Sequence, residues 1–165
     1  MGTIGPEALG RLVDEHAAAL VLYARQWCEA PEDVVQEALL TLVRQAEAPG
    51  NPVGWLYRVV RNVAISASRS ATRRQRREAA VAQHREPWFH ASPDDRLDAL
   101  AATEALGQLP IAQRETIVAR LWGGLSFDQI AELTGSTTST VHRWYQQGLA
   151  TLRERLKASC PKKKG

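Results

Sequence analysis

The chain has 165 residues, with 21 Lys and Arg against 18 Asp and Glu, a net charge of +3 and an apolar fraction of 44%. That composition is too apolar for a disordered chain and suits one globular domain or two small ones, while a pI near 9.1 permits a nucleic-acid partner without demanding it. No stretch approaches the roughly 20 apolar residues of a membrane span, and no basic segment followed by an apolar core opens the chain, so it reads as unexported, cytoplasmic and without a membrane partner.

Apolar residues recur at helical spacing and hardly ever alternate, which predicts an all-α protein. A first helix starts near Pro6 and stops before Pro31, with Leu9, Leu12, Val13, Leu20 and Trp27 on one face. A second opens at Pro31 with Glu32 and Asp33 in its first turn, where carboxylates suit the macrodipole, and turns Val35, Leu39, Leu42 and Val43 inward. Pro49 and Gly50 break it, and Asn51 caps a third helix whose stripe is Leu56, Val59, Val60, Val63 and Ala67. These three helices are expected to share one small core.

From about residue 78 the periodicity fades, and Glu86-Pro87-Trp88-Phe89-His90 reads as a flexible linker. The expected division is therefore a first helical domain over 6–78, a linker over 79–92, a second helical domain over 93–158 and a basic tail over 159–165. Ser92, Pro93 and Asp95 have the pattern of a capping box, followed by Leu97, Leu100, Ala101 and Leu106 at helical spacing. Pro110 starts another helix with Ile111, Ile117, Val118 and Leu121, ended by Gly123-Gly124. Ser126 and Gln129 then form a capping box, Gly135 permits a positive-φ turn, and Ala131, Val141 and Trp144 close a core between two short helices. That is a helix-turn-helix, and it leaves Thr137, Thr138, Ser139, Thr140, His142, Arg143 and Gln146 at the start of its second helix for phosphates and base edges.

Charge divides the first domain. No acid lies between Glu47 and Glu78, while Arg58, Arg61, Arg69, Arg73, Arg74, Arg76 and Arg77 fill that stretch and would repel one another unless an anion lay alongside. Trp55 and Tyr57 near its start could stack an unpaired base, or Trp55 could simply belong to the core. The second helix is acidic on its outer side, through Glu29, Glu32, Asp33 and Glu37, which would repel DNA and suits a basic protein surface. Asp14-Glu15-His16 is the sole compact acid–histidine cluster and matches no catalytic or metal spacing, as is also true of Cys28 and Cys160, read as a buried thiol and a tail thiol. Neither an enzyme nor a cofactor or metal site is expected.

The segments PEDVVQEALLTLVRQ, NPVGWLYRVVRNVAI and LPIAQRETIVARLWGGLSFDQIAELTGSTTSTVHRWYQQGLATLRERL together resemble, in order, regions two and four of sigma-70 family sigma factors of the extracytoplasmic-function group. The resemblance runs from about Leu9 to Leu156 and implies a factor that binds core RNA polymerase and directs promoter recognition, melting and transcription initiation. It implies that Asp33, Gln36, Glu37 and Leu40 dock on the clamp helices of the largest subunit, and that the second domain meets the flap region. Asn51, Trp55, Arg58, Arg61, Asn62, Ser66, Arg69 and Arg73 would serve the minus-ten element, the loop from Ala48 to Asn51 holding a flipped base. Residues from Thr137 to Gln147 would enter the major groove at the minus-thirty-five element, and Trp88, Phe89, Asp94 and Asp95 would thread the polymerase cleft. An anti-sigma factor would fit two small domains clamped together. The run Trp144-Tyr145-Gln146-Gln147-Gly148-Leu149 departs from the basic recognition helices common in the family. Gly148 lowers helix propensity by up to about 1 kcal/mol relative to alanine, which suits a close packing contact. A free-standing dimeric regulator explains the helix-turn-helix but not the acidic and arginine-rich helices, and an adaptor working through the acidic face alone wastes the second domain.

Overall fold

A computed structural model of the protein describes residues 2–75 and 96–159. Among them are seven helices and no strand: α1 Pro6–Ala24, α2 Pro31–Val43, α3 Pro52–Gln75, α4 Arg96–Gly107, α5 Ile111–Leu121, α6 Phe127–Thr134 and α7 Thr138–Ser159. The linker and the Ser92 capping box lie outside the described residues, as does the tail from residue 160.

Local chemistry starts these helices where the sequence predicts. Proline occupies the first turn of α1, α2 and α3, where its missing N–H costs nothing, and the Asn51 side-chain oxygen accepts from the Gly54 N–H at 3.0 Å. At Ser126 both halves of the capping box form, with Ser126 N–H donating to Gln129 Oε1 at 2.8 Å and Gln129 N–H donating to Ser126 Oγ at 3.2 Å. Gly135 closes α6 at φ 67°, a left-handed conformation that side chains disfavour, and turns the chain into α7.

Helices α1, α2 and α3 bury Leu20, Tyr23, Val34, Val35, Ala38, Leu42, Leu56, Tyr57, Val60 and Ala64 together. The three helices share a core as expected, and that core does not end with them. Val118, Ala119, Leu125, Ile130, Ala131 and Val141 belong to the same apolar cluster, because α5 packs on α1 and α6 packs on α3. A second cluster of Leu106, Leu109 and Ile117, flanked by Tyr145, Leu149 and Leu152, joins α4 and α5 to α7.

Several inward assignments are corrected. Val13, Val43, Ile111 and Leu121 are exposed; Val43 sits one step round the helix from Leu42, which takes the inward place. Trp27 lies in the turn after α1 and packs edge-on against Tyr23, with centroids 5.0 Å apart. Cys28 is half-buried, not buried.

Candidate nucleic-acid interface

Three surfaces carry the residues singled out above. On α2, Asp33, Gln36, Glu37 and Leu40 are all exposed at spacings of three and four, so they form one stripe. Leu40 is 48% exposed, and Val43, 44% exposed, extends the stripe by one more turn. The outward Val43 was missed because its apolar character suits a core equally well. Glu32 pairs with Arg25 at 3.2 Å beside the stripe, a surface contact of under about 1 kcal/mol. An apolar ridge bordered by carboxylates suits a basic protein surface better than nucleic acid.

On α3, Arg58, Asn62, Ser66, Arg69 and Arg73 are exposed and follow one another at steps of three and four, which lays them along a single face. Asn51 is exposed at the head of that face, with its side chain committed to the helix cap. Trp55 is half-buried against the core and also lines a hollow of about 240 Å³. Pro49, Asn51, Gly54 and Arg58 line the hollow from the α3 side, and Leu125, Gln129, Glu132 and Leu133 from the α6 side. Tyr57 is wholly buried and offers no face to a base.

Arg61 departs from the stripe. Its Nε donates to Glu115 Oε1 at 2.6 Å and its Nη2 to Oε2 at 3.4 Å, while the Tyr23 hydroxyl donates to the same Oε1 at 2.6 Å. The hydrogen bond to Glu115 raises the Arg61 pKa above its ordinary value, against the opposing effect of burial. Burial, then the Glu115 charge, holds the Tyr23 phenol well above the usual tyrosine range. Glu115 is only 3% exposed and was not singled out from sequence, where it is one acid among the polar residues of α5.

On α7, Thr137 caps the helix by accepting from the Thr140 N–H at 3.2 Å, and the Thr138 hydroxyl donates to Asp128 at 2.7 Å. Thr137, Thr138, Ser139, His142, Arg143 and Gln146 are exposed, while Thr140 is half-buried. The atypical run sorts by face. Trp144 packs on the large core, Tyr145 and Leu149 on the smaller one, and Gly148 is buried against α5, leaving Gln146 and Gln147 outward. The His142 ring meets Phe127 edge-on at 5.1 Å, and the Arg120 guanidinium lies over Phe127 at 5.0 Å. Arg120 and Arg153 flank a groove of about 510 Å³ whose wall includes His142, Tyr145 and Gln146, so two cations missed in the sequence border the outward face.

Among the described residues no three His, Cys, Asp or Glu side chains come together as a metal site, and no helix is long and apolar enough to cross a membrane.

Residues 12–74 match the family model for sigma-70 region 2, and residues 99–152 match that for sigma-70 region 4. The ECF RNA polymerase sigma factor SigL of Mycobacterium tuberculosis is 34% identical over 152 residues, covering 86% of this chain and 85% of its own. The RNA polymerase sigma factor SigV of Bacillus subtilis is 26% identical over 127 residues, covering 75% of this chain and 74% of its own. Among solved structures, the sigma factor RpoE in complex with the anti-sigma factor NepR from Bartonella quintana superposes with a TM-score of 0.76 at 24% identity, over 93% of this chain and 98% of that one. CnrH in complex with the cytosolic domain of CnrY superposes with a TM-score of 0.64 at 24% identity, over 94% of this chain and 92% of that one. At that identity the two structures speak to the fold alone.

Proposed function

The chain belongs to the extracytoplasmic-function sigma factors of the sigma-70 family, and from that premise we propose how its surfaces divide the work of directing RNA polymerase to a promoter. The α2 stripe of Asp33, Gln36, Glu37 and Leu40, extended by Val43, docks on the clamp helices of the largest polymerase subunit. Residues 6–78 act as the melting domain, 93–158 as the upstream-element domain in contact with the flap region, and 79–92 as the connection through the polymerase cleft. The chain acts as a binding factor and not as an enzyme, in the cytoplasm where polymerase works, and its two halves suit capture by an anti-sigma factor.

The observation that carries this reading is the opposed polarity of two neighbouring helices. An acidic and apolar stripe on α2 and a stripe on α3 whose charges are all cationic suit a protein and a nucleic acid, respectively. Arg58, Arg69 and Arg73 would neutralise phosphates of the minus-ten strand, with Asn62 and Ser66 within reach of base edges. Trp55, next to Asn51 and Arg58, would stack a base flipped from the non-template strand. Flipping costs a few kcal/mol of lost stacking, which these contacts offset once polymerase holds the duplex. Thr137, Thr138, Ser139, His142, Arg143 and Gln146 would meet the minus-thirty-five major groove, with Arg120 and Arg153 on the adjacent phosphates.

Exchange of Asp33 and Glu37 for lysine tests the docking stripe, because both side chains are exposed and the fold does not need them. Native-gel titration with core polymerase should show binding abolished at unchanged helical content. Unaltered binding would remove α2 from the proposal. A free-standing regulator would leave both stripes without a role.

A further inference from the structure

We infer that Phe127 is a positioning residue for upstream-element reading: its ring orients the His142 imidazole on the groove beside α7, so discrimination at one base pair depends on a side chain other than the reader. This deepens the reading of α7 given above and rests on it. Phe127 opens α6 and meets three side chains at once. The His142 ring stands edge-on to it at 5.1 Å and 81°, the Tyr145 ring at 5.3 Å and 65°, and Arg120 Cζ lies 5.0 Å from its centroid. Arg120 comes from α5 and the other two from α7, and all four residues line the same groove of about 510 Å³.

The ring is itself fixed by its neighbours in sequence. Ser126 before it forms both halves of the capping box with Gln129, and Asp128 after it accepts from the Thr138 hydroxyl at 2.7 Å. The first contact sets the start of α6, and the second ties that start to the first turn of α7. Phe127 therefore shifts against the reading face only if one of them breaks. Arg120 is held as well, since its Nη1 donates to the Leu125 carbonyl at 2.9 Å while the guanidinium covers the ring.

His142 is exposed, and an imidazole on an open helix face has rotamers to lose when it meets a base edge. An edge-on aromatic contact selects among those rotamers before DNA arrives. The ring nitrogens then meet a base edge along one direction, which hydrogen-bond discrimination between bases requires. Arg120 and Arg153 at the groove suit phosphates, whose contacts carry no sequence information, so discrimination falls on the ring that Phe127 orients. Phe127 also packs against the large core, and leucine in its place would keep an apolar contact there while losing the ring.

The test uses holoenzyme assembled from core polymerase and the full-length protein, binding duplex fragments that carry a promoter mapped by run-off transcription and randomised over its upstream element. His142→Ala should flatten preference at one base pair. Phe127→Leu should flatten preference at the same pair by roughly fivefold and leave the other pairs as they were. Phe127→Tyr keeps the ring and should keep the preference, and Phe127→Leu with His142→Ala should be no flatter than His142→Ala alone. Phe127→Met replaces Phe127→Leu if the leucine variant loses helical content. An even loss over all pairs, or flattening that adds to that of His142→Ala, overturns the positioning role and leaves Phe127 a packing residue. Full preference retained in Phe127→Leu overturns it too. If His142→Ala also changes nothing, Arg143→Ala with Gln146→Ala separates the causes. Altered preference in that pair keeps the reading of α7 and removes only Phe127 and His142 from it, whereas unaltered preference shows that reading to be at fault.

Discussion

Gly148→Ala sets two physical effects against each other at a position inside α7. On helix propensity alone, alanine should stabilise an interior position by up to about 1 kcal/mol. The packing opposes this: the added Cβ would lie 2.6 Å from Ile117 Cδ1 and 3.3 Å from Gln113 Cβ. Ile117 is fully buried between α4, α5 and α7, so its terminal methyl has little room to yield. Overpacking of this kind costs about 1–3 kcal/mol, which exceeds the propensity gain, and a net loss of about 1 kcal/mol is expected. Urea unfolding followed by circular dichroism should show the midpoint falling at an unchanged slope. Ile117→Val removes the clashing methyl and alone costs about 0.5–1.5 kcal/mol. The double variant should then be more stable than the sum of the singles by about 1 kcal/mol. A Gly148→Ala protein more stable than the parent, or strict additivity with Ile117→Val, would refute the close-approach explanation of this glycine.

His142→Ala with Arg143→Ala should relax preference among upstream elements in competition binding or transcription, and an unaltered preference would count against the outward face of α7 as the reader. Tyr23 and Tyr57 are held protonated by burial, Tyr23 additionally by the Glu115 charge, so the folded form keeps protons that the unfolded chain releases near pH 10. Their contribution to stability is therefore complete below about pH 10 and is lost as pH rises beyond it. The urea midpoint should fall as the pH rises above about 10, with Tyr23→Phe flattening part of the slope; a midpoint independent of pH would contradict the buried phenols. Burial likewise raises the Cys28 thiol, so in a Cys160→Ser background alkylation at neutral pH should be slow and should accelerate on unfolding.

The parts of the fold legible from sequence are those with a local chemical cause. Pro31, Pro52, the Asn51 cap, the Ser126–Gln129 box and Gly135 each act within a few residues, and the helices begin and end beside them. The outward stripe of α3 was legible for the same reason, because its charges share one sign over 24 residues. Face assignment was less secure: Val13, Val43, Ile111 and Leu121 are exposed although their apolar character suits a core equally well. Least legible was the Arg61–Glu115–Tyr23 contact. It joins residues 54 and 92 positions apart, and neither Glu115 nor Tyr23 differs in local pattern from an ordinary surface acid or core aromatic. That distant contact also moved Arg61 off the expected DNA-facing stripe.

Run-off transcription tests the central claim most directly. Core polymerase with and without the protein would be incubated on a pool of fragments from the organism's own genome, and new transcripts mapped to their starts. Discrete starts that depend on the protein, preceded by two shared elements and lost with Asp33→Lys and Glu37→Lys, are the predicted result. Duplex binding by the protein alone, with no protein-dependent start, would contradict it and make the chain a regulator that works without polymerase.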